Sequence, residues 1–281
     1  MMKKIALITG ILTILIAIST FLFYRVNAEG KLDRQKYVQS TTPTLFFHGY
    51  GSSANAERHM TNAAKKAGVT KTVIRANVDR NGAVTLRGDI PKGAINPIVE
   101  VNYEDNRNPI DVGRYAKAVV SKLQEKYGFT KMNMVGHSLG NMSILYYLLE
   151  HAQDEKLPQL QKQVNIANFA AGLEAMGLSS DVKVDKTTGQ PNQVTQTFQR
   201  LLPLREVFPQ NQIDVLNIYG DYKNGSDGSV LNASSRSLKY LVVDNAKSYQ
   251  EKKIIGKLAQ HSQLHENQEV DKILIQFLWG K

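Results

Sequence analysis

The chain has 281 residues, 42% of them hydrophobic and 21% charged, with a formal net charge of +10 and no cysteine. That length suits one large domain with a full core or two small ones, and the missing cysteines exclude a disulfide-stapled scaffold and any thiol chemistry. The basic residues are scattered, with no interleaved basic and aromatic stretch, so no nucleic-acid partner is expected.

Residues 1–4 form a short basic start, and residues 5–24 continue without a charge. Arg25 comes next, and Val26-Asn27-Ala28 ends on a small residue. This order is that of a secretory signal peptide cleaved after Ala28, but the apolar run is also long enough to span a bilayer as an N-terminal anchor. Either reading exports the remainder of the chain, because basic residues precede the run and positive charge stays inside. An exported chain without cysteine suits a Gram-positive cell surface. Its basic surface reads as ordinary solvated charge, compatible with attraction to anionic lipid or wall polymers. Residues 29–42 are polar and read as a linker.

Residues 44–48 read as a short buried strand running into Gly49-Tyr50-Gly51-Ser52-Ser53, and residues 54–67 carry helix formers up to Gly68. Strands are expected over 72–78 and 83–87, joined by Asp79-Arg80-Asn81-Gly82, where Asn-Gly signals a hairpin turn rather than a calcium loop. Residues 97–103 are a further strand candidate. Apolar residues recur at helical spacing over 111–127, and Gly128 stops that helix. Residues 132–135 read as a strand, 138–150 as a long apolar helix, 164–167 and 215–219 as short strands, 249–255 as a last strand and 270–279 as a last helix. Strands alternating with helices long enough for crossovers indicate an α/β fold with a mostly parallel sheet covered on both faces. Residues 172–212 break this rhythm and read as a cap or lid, with a small hairpin turning at Gly189 and an apolar stretch interrupted at Pro203.

The chemistry centres on Gly136-His137-Ser138-Leu139-Gly140. The five-residue pattern G-x-S-x-G arises by chance in roughly one chain in ten of this length, so its flanks decide its meaning. A strand precedes it and a helix follows. In that context the turn is sharp, Gly136 and Gly140 keep the chains from colliding, and Ser138 sits at the positive end of the helix as a nucleophile.

Serine needs a base, and the base needs an orienting acid, in the chain order Ser, acid, His. His48 and His59 precede the serine, His137 lies within the turn, and His151 is at the far end of the helix. His265 and His261 remain. His265 is favoured as a loop residue just before a helix start, with His261 in reserve. The acid is expected after strand 215–219, where Asp227, followed by Gly228, is preferred to Asp221, which reads as a turn residue. Tyr50 and Leu139 are expected to supply the two backbone N–H groups of an oxyanion hole. No metal or nucleotide-binding motif is present, so no cofactor is expected.

These residues together resemble an α/β-hydrolase. More narrowly, the stretches 46–53, 136–140 and 261–267 resemble a Gram-positive family of exported cell-surface hydrolases of unknown function, a likeness running over most of 43–279. Ser226-Asp227-Gly228-Ser229-Val230, with a later histidine, is similar to bacterial lipases. Asn168-Phe169-Ala170-Ala171-Gly172 departs from the glycine- and proline-marked loop that lipases commonly show there. The resemblance implies the fold and a Ser-Asp-His triad and supplies no substrate. A serine esterase or lipase acting on a small-molecule or lipid ester is the leading expectation. A non-catalytic surface-binding module, or an acyltransferase or peptidase with the same nucleophile, are the alternatives.

Overall fold

The computed structural model describes residues 31–281; the expected signal or anchor at 1–28 lies outside them. Eight strands form one sheet in the order β3-β2-β4-β1-β5-β6-β7-β8. They are β1 (Thr44–Phe47), β2 (Val73–Val78), β3 (Val84–Arg87), β4 (Ile98–Tyr103), β5 (Lys131–His137), β6 (Gln159–Ile166), β7 (Asp214–Asp221) and β8 (Ser248–Ile255). Only β2 and β3 pair antiparallel, across the 79–82 turn. The Asp79 carboxylate accepts the N–H groups of Asn81 and Ala83, so it caps this turn, as the sequence led us to expect.

Helices cover both faces. On one side lie α2 (Val112–Tyr127), α3 (Leu139–His151) and the short helices α4 (Gln196–Leu201), α5 (Leu204–Val207), α6 (Asn232–Arg236) and α7 (Leu238–Val242). On the other lie α1 (Arg58–Lys66) and α8 (Gln268–Trp279). The strand period of two divides β1 between these layers. Leu45 and Phe47 join the core with Val119 and Ile144, while Phe46 joins Met60, Leu274 and Trp279. A parallel strand buried on both faces is continuously apolar, and Leu45, Phe46 and Phe47 are all at most 1% exposed. Helix α3 is apolar all round because it is enclosed by β1, β5, α2 and the short helices. Gly113 lets α2 approach it closely, since a Cβ there would meet the Cβ of Tyr146 at 2.7 Å.

The structure revises two expectations. Residues 31–42 are not a loose linker. The Asp33 N–H donates to the Gly68 carbonyl, Tyr37 bridges Gly280 and is 2% exposed, and the Val38 N–H donates to Trp279 O. Gly68 and Gly280 follow the C-terminal ends of α1 and α8, so this segment docks at the amino-end edge of the parallel strands. The second revision concerns 172–212. Its first part carries the small hairpin, with a Val184–Pro191 bridge and Gly189 at φ 79°. Its second part forms α4 and α5, divided at Pro203, and Phe198, Leu201 and Leu204 are fully buried against the main core. These side chains are structural and are not available to line a lid.

Candidate active site

Ser138 stands between β5 and α3 with φ 53° and ψ −119°, a conformation costly for any residue with a side chain. Its surroundings over-determine it. The Ser138 N–H donates to Ile166 O at 3.0 Å. Asn141, one turn along α3 and fully buried, donates to both Ser138 O and Ile166 O at 2.8 Å, and its own carbonyl accepts from Asn165 at 3.0 Å. The sequence reading did not pick out this amide clamp; the Asn that follows Gly140 was its signal. A Cβ on Gly136 would meet Gly140 at 2.7 Å, and one on Gly140 would collide with the carbonyl of Phe47, so the turn closes only with glycine at both places.

The candidate acid comes from the loop after β7. Asp227 is 1% exposed, and its Oδ1 accepts the N–H groups of Ser229 at 2.9 Å and Val230 at 2.7 Å. Gly228, at φ 93°, makes this fold-back possible. The remaining oxygen, Oδ2, accepts from His261 Nδ1 at 2.8 Å, and His261 Nε2 lies 2.9 Å from Ser138 Oγ. The structure therefore brings together Ser138, His261 and Asp227.

His265, the base favoured from sequence, does not face Ser138. Its Nδ1 lies 3.3 Å from Glu266 Oε1, and burial lowers its pKa. The two histidines share one 3₁₀ segment, His261–Glu266. At three residues per turn, a position four residues on is rotated about 120° around the axis, so only one can point at the serine. The chain leading into this segment lies close against β7, because a Cβ on Gly220 would strike the carbonyl of Ala259. Asp221, the reserve acid, is ion-paired with Lys253 and accepts from the Gly225 N–H. The lysine bond is the main cause of its lowered pKa, and Asp221 is hydrogen-bonded to neither histidine.

The loop after β1 closes over Ser138. Gly49 is the point of close approach, where a Cβ would stand 3.1 Å from Ser138 Cβ. His48 accepts the Tyr103 N–H at Nε2 and donates from Nδ1 to Gly49 O, which fixes its tautomer, and burial lowers its pKa. It braces the loop and is turned away from the serine. The N–H groups of Tyr50 and Leu139 donate to no other group among the described residues and remain free for a ligand. No group of three or more metal-ligating side chains occurs among the described residues.

Residues 31–281 match the model of a family described as alpha/beta hydrolase of unknown function (DUF915). The chain belongs to this family. Solved structures similar to this DUF915 chain include two bacterial proteins. The product of gene lin2722 from Listeria innocua is 25% identical with a TM-score of 0.75, covering 85% of this chain and 94% of its own. A Lactobacillus plantarum protein named "putative cell surface hydrolase" is 19% identical with a TM-score of 0.67, covering 84% of this chain and 89% of its own. No curated protein matches the DUF915 chain.

Proposed function

We propose that this α/β-hydrolase is an exported serine esterase, carboxylesterase- or lipase-like, with Ser138 as nucleophile, His261 as base and Asp227 as orienting acid. The observation that carries the reading is the continuous bonding from Asp227 Oδ2 through His261 to Ser138 Oγ, at 2.8 and 2.9 Å. The carboxylate holds the proton on Nδ1, which leaves Nε2 free to accept the serine proton as Oγ attacks an ester carbonyl. The tetrahedral oxyanion lies against the N–H groups of Tyr50 and Leu139. His261 then returns its proton to the departing alcohol, leaving an acyl group on Oγ, and a water activated by the same imidazole releases the acid. Export rests on the N-terminal sequence pattern and accords with the name of the Lactobacillus plantarum relative.

The test is labelling of the full chain with a fluorophosphonate, which loses fluoride to an activated serine oxygen, beside hydrolysis of 4-nitrophenyl esters of increasing acyl length. Labelling and turnover are expected in the wild type and in neither assay for Ser138→Ala. Labelling that persists in that variant refutes the assignment.

A further inference from the structure

His137, the residue before the nucleophile, has no part in the proton transfers above, yet it is bonded to the residue that does the transferring. It is 4% exposed at the end of β5, and its Nε2 lies 3.0 Å from the main-chain carbonyl of His261, 124 residues away in sequence. A carbonyl only accepts, so His137 carries its proton on Nε2 and leaves Nδ1 bare.

The other main-chain polar group of His261 is also held, because its N–H donates to the carbonyl of Asp227 at 2.8 Å. Two closed rings therefore share His261. One runs from its carbonyl to His137, across a single peptide bond to Ser138, and from Oγ back to Nε2. The other runs through Asp227, by main chain and side chain. The nucleophile's neighbour and the acid thus hold the same residue, one at its C=O and the other at its N–H.

We propose, on the reading of the site given above, that His137 is a positioning residue that sets the His261 imidazole against Ser138 through this main-chain bond. The need for such a grip is local. His261 is the first residue of a short 3₁₀ segment between β8 and α8, preceded by Gly256 at φ 101° and the exposed Leu258, with neither a strand nor an α-helix of its own to hold it. His137 is itself boxed in. The ring of His265 stands edge-on against it at 4.7 Å between centroids, the ring of His261 lies at 5.1 Å, and a Cβ on Gly49 would stand 3.3 Å from its Nδ1. This gives His265 a place as a wall of the box. Burial, then the two neighbouring histidines, hold the His137 pKa well below that of an ordinary imidazole. It therefore stays neutral and does not compete for the proton that His261 must carry.

The experiment measures kcat and KM on 4-nitrophenyl acetate, with melting temperature, for the full-length wild type and for His137→Leu, His137→Gln and His137→Asn. Glutamine places an amide N–H about where Nε2 stands; asparagine is one bond shorter, and leucine has no donor. A misplacement on the order of 1 Å costs about a hundredfold in rate. The leucine variant is therefore expected to lose kcat by that order with KM unchanged, and the glutamine variant to recover most of it. If leucine prevents folding, glutamine clearly faster than asparagine supports the proposal, and equal rates for the two overturn it. A folded leucine variant with wild-type kcat overturns it, as does a glutamine variant as slow as leucine. Those failures leave an active wild type behind them; a wild type that neither turns over nor labels refutes the esterase reading as well.

Discussion

Asp227→Asn gives the sharpest test of how the site is built. In the native loop Oδ1 is held by two main-chain N–H groups and Oδ2 faces His261 Nδ1. In the variant the amide has one oxygen and one NH2. With the oxygen on Ser229 and Val230, the NH2 points at Nδ1 and drives the imidazole proton to Nε2, where it faces Ser138 Oγ and the base is lost. The reverse orientation restores the tautomer but turns the NH2 onto the buried N–H of Val230 and the part-buried N–H of Ser229. A stranded buried donor costs about 1–3 kcal/mol and the part-buried one adds at most as much, so the productive arrangement is disfavoured by about 1–6 kcal/mol. At about 1.4 kcal/mol per tenfold, kcat falls by about fivefold to about ten-thousandfold. The change is nearly isosteric, so the melting temperature should hardly move. Initial rates on 4-nitrophenyl butyrate, normalised by fluorophosphonate titration of the wild type, measure the loss. A folded variant within about threefold of wild type refutes the argument.

His261→Ala should abolish turnover on the scale of about three to six orders of magnitude, while His265→Ala costs far less; the opposite ranking in paired rate measurements would return the base to His265. Glu57 is fully buried with neither carboxylate oxygen hydrogen-bonded, and burial, then Glu100 and Glu266, push its pKa from 4.5 up to about 8. Between those values the folded chain holds a proton that the unfolded chain has released, so this group's contribution to stability falls as pH rises, by up to about 1.4 kcal/mol per unit. Glu57→Gln should therefore gain on wild type in melting temperature from pH 5 to pH 8, and a gap that stays constant with pH contradicts the assignment. Phe198→Ala should cost about 3–5 kcal/mol in a denaturant titration and leave KM alike across acyl lengths; a KM change confined to long chains would show that the ring meets substrate.

The strands and the sharp turn at Ser138 were legible because steric rules write them into local sequence. Gly136 and Gly140 are required by the crossing of β5, β1 and α3, and the apolar run at 45–47 has no polar face because both of its faces are covered. The histidine was legible only to within one 3₁₀ segment. His261 and His265 are chemically identical, and the proximity of His265 to α8 carries no information about which way its ring turns; Asn267 caps that helix, accepting the N–H of Glu269. The packing of 31–42 was hidden for a different reason. Tyr37 is the one fully buried ring of a polar segment whose partners, Gly68, Trp279 and Gly280, are all distant in sequence. The helices over 232–242 left little periodicity because each is five residues long, too short to display an apolar stripe.

The docking of 31–42 has a mechanical consequence. The strand ends that carry Ser138 and Asp227 lie at one pole of the domain, and the chain enters at the other, where Asp33 meets Gly68 and Tyr37 meets Gly280. A leash fastened ahead of residue 31 would pull on the end opposite Ser138. Tension along it would load the Tyr37–Gly280 clasp before it reached the turn at Ser138, so the domain would be held in place without the pole that carries Ser138 and Asp227 being strained or covered.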